Sequence, residues 1–400
     1  MTMNIGIYGG TFNPPHLGHM AAAKTAASVL GLDQLILIPA ATPPHKQLPD
    51  GSPTPAQRLE MARLMADNLG LPGVAAVSDM ELCREGKSYT SDTLRAIRAQ
   101  YPDAKLWLLM GTDMFLTLQY WHEPEVIMEL AGICAFGRTE QDGEELFAPQ
   151  RAYLQEKYNA RITTITLPGL VDISSTDLRD MLRHGKGGDY LAPAVYGHIL
   201  MHGYYGVKAD LTGLALPELR ACSYSMVRAK RIAHIRGTEE EAIRLAHRWG
   251  ADEGLAQRAA ILHDCTKYLE LEEQLELCRR YGVTLDQLEQ RAVKLLHSKT
   301  GACMAKYIFG ETDAVYRAIF WHTTGRANMD LLEKVIYLAD YIEPTRDFDG
   351  VEALRALAYK DLDAALLMGM NMTIEEMEQR GVPVHENTLA ARNWLLEHKN

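Results

Sequence analysis

Hydrophobic periodicity changes once along this chain, and that change limits its folds more than any other feature. Up to about residue 170, short β-type runs at 35–38, 74–77, 106–109, 133–136 and 162–167 alternate with helix-period segments such as 55–69 and 90–101. Runs without polar alternation belong to strands buried on both faces. The N-terminal half is therefore predicted to be an α/β Rossmann-like parallel sheet covered by helices. After about residue 206 the β signal disappears. Segments such as 239–249, 255–263, 314–321, 331–342 and 388–398 repeat with helical period, which predicts an all-α second half. The stretch 203–216, with Gly206 and Gly213 and ending before Pro217, is the predicted junction. The expected division is a domain over 1–205, a linker over 206–216 and a second domain over 217–400. A chain of 400 residues suits two cores rather than one.

The first apolar run, Ile5-Gly6-Ile7-Tyr8, leads directly into Gly9-Gly10-Thr11-Phe12-Asn13-Pro14-Pro15-His16-Leu17-Gly18-His19 and then an Ala-rich helical stretch. That order reads as strand, glycine turn and helix. Glycine lets the backbone approach a ligand, and a helix N-terminus offers unpaired N–H groups to an anion. His16 and His19, three apart, share a face of the first helical turn beside that position. Together they make a cradle for a polyphosphate. Further on, Ile173-Ser174-Ser175-Thr176-Asp177-Leu178-Arg179 combines capping hydroxyls with an acidic first turn and a cation on the next turn. One hydroxyl suffices for a cap, so Arg179 suggests a second phosphate clamp.

The first string resembles the signature of the nucleotidylyltransferase superfamily, specifically the bacterial nicotinate mononucleotide adenylyltransferases. Many relatives carry Asp where this chain has Asn13. The resemblance implies that Gly9, Gly10, Thr11, Phe12, Asn13 and Ile173-Ser174-Ser175 bind ATP, with His16, His19, Lys46 and Arg179 as catalytic residues. Lys46 lies in Pro43-Pro44-His45-Lys46 after the second strand, and His45 is expected beside it. Ser88-Tyr89-Thr90-Ser91-Asp92-Thr93-Leu94 reads locally as a helix cap. By the resemblance it faces the pyridine mononucleotide, making Ser88, Tyr89, Thr90, Asp92 and Thr93 contacts. Gly111 and Asp113 would lie near the adenosine ribose, Trp121 would stack on the nicotinate ring, and Arg138 would meet a phosphate or carboxylate. The implied reaction is attack of the mononucleotide phosphate on the α-phosphorus of ATP, with Mg²⁺ bridging phosphates.

The helical half carries a second set. His263-Asp264 ends a helix-period run, His234 lies upstream, and Asp340 follows the apolar run Ile336-Tyr337-Leu338-Ala339. Imidazole and carboxylate groups on separate helices can converge on one divalent metal. An unpaired buried carboxylate is costly, so Asp340 needs a metal or an ion pair. His297 and His322 add imidazoles near predicted helix ends; each alone suits a cap or the surface. The order His…His-Asp…His…His…Asp resembles HD-superfamily phosphohydrolases, and most closely the bacterial symmetrical diadenosine tetraphosphate hydrolases. The matching strings include Trp321-His322-Thr323-Thr324-Gly325 and Leu338-Ala339-Asp340-Tyr341-Ile342-Glu343-Pro344-Thr345-Arg346-Asp347-Phe348. Gly237 stands where an aliphatic residue is expected and is read as loosening that helix's end. The resemblance implies metal-assisted hydrolysis giving two ADP, with His234, His263, Asp264 and Asp340 as metal ligands and Asp264 also catalytic. Iron is the metal it suggests, while ligand chemistry equally permits Mn, Co or Zn. Lys267, His297, His322 and Arg346 are candidates for phosphate or a second metal.

Charge and cysteines bound the setting. The formal charge of −11 opposes a nucleic-acid partner, so anionic substrates must be held by local devices. Six scattered cysteines without a Cys-x-x-Cys pair suit neither a zinc ribbon nor a disulfide framework, and fit a reducing cytoplasm. No apolar run approaches the roughly 18 residues of a membrane span. The expected partners are ATP, nicotinate mononucleotide and dinucleoside polyphosphates, with no nucleic acid and no membrane. The sequence leaves open a homo-oligomer, the choice between nicotinate and nicotinamide mononucleotide, and coupling between sites. Three alternatives stand: another adenylyl or cytidylyl transferase, such as the pantetheine phosphate enzyme, for the first half; for the second, a nucleotide-sensing module without turnover, or a hydrolase of a different nucleotide.

Overall fold

The computed structural model describes residues 2–42, 48–84, 86–137, 144–167 and 173–398. The chain divides into two compact units, Met1–Ala209 and Asp210–Asn400.

In the first unit six strands form one parallel sheet: β1 (Asn4–Gly10), β2 (Gln34–Pro39), β3 (Ala75–Val77), β4 (Lys105–Gly111), β5 (Ala131–Gly137) and β6 (Ile162–Thr166). Their order is β3-β2-β1-β4-β5-β6. The fold is therefore the doubly wound α/β sheet expected from the alternating pattern. Ile5, Leu35, Leu37, Ile38, Leu106 and Ile133 are fully buried, which explains why the strands lack polar alternation. The chain winds one way from β1 to β3 and the other way from β4 to β6. In such sheets the crevice beyond the strand C-termini at the reversal accepts ligands. Here the reversal falls between β1 and β4, which pair from Asn4↔Lys105 to Tyr8↔Leu109. Gly9-Gly10 and Met110-Gly111 thus emerge side by side.

The second unit is helical throughout its described residues. The helices Ala229–Trp249, Glu253–Leu262, Val293–Tyr307, Asp313–Trp321 and Leu331–Ile342 pack around a core that includes Leu245, Ile261, Leu262, Ile319, Ile336 and Leu338, all fully buried. Among the described residues no helix is long and apolar enough to cross a membrane.

Candidate active sites

In the first unit a cavity of about 350 Å³ opens at the sheet's reversal point. Gly9, Gly10 and Thr11 from the end of β1 line it, with His16 and His19 from the start of the helix Leu17–Val29. A Cβ on Gly9 would meet nothing within 4 Å, so this backbone is bare toward the cavity. His16 is the N-cap of that helix, and its backbone N–H donates to His19 Nδ1 at 3.2 Å. The two rings lie 3.8 Å apart between centroids. The bond points the His19 ring inward and makes Nε2 its protonated nitrogen, a donor suited to a phosphate oxygen. Gly111, Asp113, Ser88, Tyr89, Thr90, Trp121, Ile173 and Ser175 also line the cavity.

Several expected contacts stand elsewhere. Phe12 and Asn13 are 1% exposed and do not line the cavity. Asn13 accepts from the Tyr205 hydroxyl at 2.9 Å and donates to Ser52 at 3.0 Å, so both ends of its amide are engaged within the protein. Arg179 is likewise buried: it donates to the Asn13 carbonyl at 2.9 Å and to the Thr176 hydroxyl at 3.0 Å. These bonds tie it to the turn after β1. Ser174 is the helix N-cap, accepting from the Asp177 N–H at 3.1 Å. Asp92 is exposed and pairs with Arg95 at 3.2 Å, while Thr93 is buried and donates to Glu81 at 2.8 Å. Tyr89 occupies the cap position before the helix Thr90–Gln100. His45, Lys46 and Arg138 lie outside the described residues.

The structure adds residues that sequence reasoning missed. Arg58 is fully buried and donates to the Thr11 carbonyl at 2.7 Å and the Ala41 carbonyl at 3.1 Å. Its signal was legible: it shares a helical face with Met61, Ala62 and Met65, where a cation must find partners. Glu81 and His122 also line the cavity. Burial pushes the Glu81 carboxyl above its usual range, against bonds from Thr93 and Ser88.

In the second unit, residues distant in sequence converge. His234 lies in the helix Ala229–Trp249, His263-Asp264 follow Glu253–Leu262, His297 lies in Val293–Tyr307, His322 ends Asp313–Trp321, and Asp340 lies in Leu331–Ile342. His234 Nε2 is 3.0 Å from Asp340 Oδ1, 3.1 Å from His263 Nε2 and 3.7 Å from Asp264 Oδ2. The other Asp264 oxygen, Oδ1, is 3.0 Å from His297 Nε2 and 3.9 Å from His322 Nε2, and those two nitrogens are 3.2 Å apart. Asp264 thus joins two groups of donors, and both form sets able to hold a metal ion.

Tautomers sharpen this reading. The Nδ1–H of His263, His297 and His322 donates to the carbonyls of Ala260, Lys294 and Ile319 at 2.6, 2.7 and 2.7 Å. His234 Nδ1 faces Glu343 Oε1 at 3.0 Å. Every imidazole therefore uses Nδ1 outward and turns its Nε2 lone pair inward, the arrangement of metal-binding histidine. Two pairs of Nε2 lone pairs meet at close range, and a shared cation removes their repulsion. Burial lowers the pKa of His297 and His322, keeping them neutral ligands. Burial opposes ionisation of Asp264 and Asp340, yet both carboxyls stand well below the usual range, with the Arg346 guanidinium contributing at Asp340.

Cations flank the cluster. Lys267 Nζ is 3.2 Å from both Asp264 Oδ1 and His297 Nε2, and Arg346 reaches Asp340 Oδ1 at 2.7 Å. Arg231, unforeseen from sequence, contacts Asp264 Oδ2 and lies 4.0 Å from Asp340. Gly237 does not loosen a helix end: it sits inside the 21-residue helix, where a Cβ would fall 2.2 Å from Glu343 Oε2. A third group, Asp286, Glu289 and His385, has the opposite tautomer. His385 Nδ1 accepts from the Asn387 N–H at 3.1 Å, and Nε2 lies 3.0 Å from Asp286 Oδ2 and 3.2 Å from Glu289 Oε1. Lys299 completes this ion-pair cluster at 2.9 Å from Glu289.

Known proteins resemble the two halves of the chain separately. Residues 7–181 match the cytidylyltransferase-like family model, and residues 231–345 match the HD domain. A Lachnoclostridium phytofermentans protein named "Probable nicotinate-nucleotide adenylyltransferase" is 36% identical over 203 residues, 50% of this chain and 98% of that protein. A Halalkalibacterium halodurans protein named "Bis(5'-nucleosyl)-tetraphosphatase, symmetrical" is 41% identical over 172 residues, 42% of this chain and 89% of that protein. A Clostridium acetobutylicum structure, described as a "predicted HD superfamily hydrolase involved in NAD metabolism", is 40% identical and covers 46% of this chain and 99% of its own, with a TM-score of 0.46. The chain belongs to the nicotinate-nucleotide adenylyltransferase family through its first half and to the symmetrical bis(5'-nucleosyl)-tetraphosphatase family through its second.

Proposed function

We propose that this chain is a bifunctional enzyme that adenylates nicotinate mononucleotide and hydrolyses diadenosine tetraphosphate to two ADP. Family membership of both halves supports the pairing, and the inward-facing Nε2 atoms of four buried histidines carry the hydrolytic half.

In the transfer reaction a phosphate oxygen of nicotinate mononucleotide forms a bond to the α-phosphorus of ATP, and pyrophosphate leaves. The nucleophile is already anionic, so the protein's task is alignment and charge neutralisation. Gly9, Gly10 and the helix N-terminus at His16 receive phosphate oxygens, with His16 and His19 on the α-phosphate. Trp121 and the Ser88-Tyr89-Thr90 segment receive the pyridine nucleotide, and Asp113 the adenosine ribose. Arg58 and Arg179 hold the turn rigid from beneath, while Lys46, on the basis of sequence, neutralises the leaving group. Mg²⁺ would supply further neutralisation of the phosphates.

In the hydrolytic reaction water adds to a central phosphorus and the bridging P–O bond breaks, each product leaving as ADP. A divalent ion held by His234, His263, Asp264 and Asp340 would acidify water and polarise the phosphoryl oxygen; iron is the metal proposed, and Mn, Co and Zn suit the same donors. The 3.2 Å approach of His297 and His322 beside Asp264 Oδ1 favours a second ion there. Lys267 and Arg346 receive the flanking phosphates. Chromatography of products tests both halves. Metal-replete protein should convert diadenosine tetraphosphate to ADP alone, and ATP plus nicotinate mononucleotide to the dinucleotide and pyrophosphate. ATP plus AMP from the first substrate would overturn the cleavage position. Unchanged diadenosine tetraphosphate would overturn the hydrolase assignment.

A further inference from the structure

Glu343 belongs to a string matched at the sequence level, yet neither reaction above gives it a task. It is fully buried and lies three residues beyond Asp340, where the helix Leu331–Ile342 ends. Three of the four clustered histidines orient themselves on main-chain carbonyls three residues earlier. His234 differs. It is partnered instead by a carboxylate from another helix end, at 3.0 Å.

That carboxylate is itself fixed. The Thr345 N–H donates to Oε2 at 2.7 Å, and the Thr345 hydroxyl donates to Oε1. Its approach also needs open space on the opposing helix. A Cβ at Gly237 would lie 2.2 Å from Oε2 and 3.2 Å from the carboxyl carbon, closer than packed atoms tolerate. Glycine inside a helix costs roughly 0.5–1 kcal/mol relative to alanine, so its presence one turn after His234 calls for a reason. The carboxylate is that reason.

We propose that Glu343 is a positioning residue that fixes the His234 ring as a metal ligand, and that Gly237 exists to admit its carboxylate. This rests on the reading that the cluster binds a divalent ion, but not on which phosphate ester it cleaves. A carboxylate on the outer nitrogen locks the ring's tautomer and direction and makes the inner nitrogen a stronger donor. It therefore acts on ion affinity before any substrate arrives. Glu343→Gln keeps the shape, removes the charge and places an amide beside the Thr345 N–H. Glu343→Ala removes the group and leaves Pro344 Cδ, at 3.3 Å, as the nearest neighbour of a Cβ at Gly237.

The test is titration of the metal-stripped full chain with Co²⁺ alone, followed by calorimetry and by the visible absorption of bound cobalt. Glu343→Gln should weaken the affinity about 10–100-fold and alter the cobalt spectrum. Gly237→Ala should weaken it similarly, although alanine is the better helix former. In the Glu343→Ala background, Gly237→Ala should cause far less loss than in the wild type, because the 2.2 Å collision is gone and only the Pro344 Cδ contact at 3.3 Å remains. Far-ultraviolet circular dichroism of each metal-free variant establishes that it is folded. Wild-type affinity in folded Glu343→Gln would overturn the positioning role. Independent, additive losses in the double variant would overturn the link to Gly237. Failure of the wild-type chain to bind Co²⁺ would overturn the metal reading beneath both, whatever hydrolysis assays show.

Discussion

Replacing Arg58 with methionine isolates how the nucleotide-binding turn is held. The guanidinium is fully buried and donates to the carbonyls of Thr11 and Ala41, so it ties the end of β1 to the chain after β2. Hydrogen bonds from a charged donor contribute about 1.5–3 kcal/mol each, giving roughly 3–6 kcal/mol for two. Removing the cation also relieves its desolvation, a cost of several kcal/mol, so the net loss should be about 2–3 kcal/mol. For a unit of this size each kcal/mol lowers the melting midpoint by about 2–4 °C, which predicts a fall of roughly 4–12 °C. The assay is residual activity after heating, measured for both reactions on one sample. Half-inactivation of adenylyl transfer should move down by that amount, while half-inactivation of hydrolysis stays in place. Arg58→Lys should do no better, because one ammonium lacks the fork that serves two carbonyls. An unchanged transfer midpoint, or equal falls in both activities, would refute the bracing role.

Three further outcomes are expected. Trp121→Ala should raise the KM for nicotinate mononucleotide about 2–12-fold, the value of one aromatic contact, and leave the KM for ATP unchanged in steady-state assays. Protein stripped of metal and given Mg²⁺ alone should recover adenylyl transfer but not hydrolysis, which should return on adding Fe²⁺, Mn²⁺ or Co²⁺; recovery of both with Mg²⁺ would exclude the assigned metal set. Bonds from Arg95 pull the Glu123 carboxyl down to about 2 from an ordinary 4.5. Because the folded value is the lower one, the pair's contribution is complete above about pH 4.5 and is lost as pH falls through about 2. Carboxyl chemical shifts should place the titration near 2, and Arg95→Ala should return it toward 4.5.

The fold was readable because burial leaves a periodic trace. The central strands β1, β2, β4 and β5 are apolar on both faces, and the helices after residue 210 repeat their apolar positions every three to four residues. The glycine turn and the clustered histidines were readable for a different reason: their chemistry is concentrated in short strings. What stayed hidden depends on distance in space. Nothing local marks Asn13 as a packing residue until Tyr205 and Ser52 are seen on either side of its amide. Arg179 reads as a phosphate clamp from its spacing, and its bond to the Asn13 carbonyl at 2.9 Å, 166 residues away in sequence, has no local signal. Gly237 looked like a weak point in a helix because its counterpart, Glu343, lies more than a hundred residues away. Pairwise fit across helices leaves no periodic signal.

Two separable active sites on one chain are best tested by measuring both reactions in His19→Ala and in Asp264→Asn. The first change removes an imidazole from the cradle at the sheet's reversal point. The second removes the charge that joins all four clustered histidines. The expected result is reciprocal: His19→Ala loses adenylyl transfer and keeps hydrolysis to ADP, whereas Asp264→Asn loses hydrolysis and keeps transfer. A single folded variant that abolished both reactions, or hydrolysis persisting at the wild-type rate in Asp264→Asn, would contradict it.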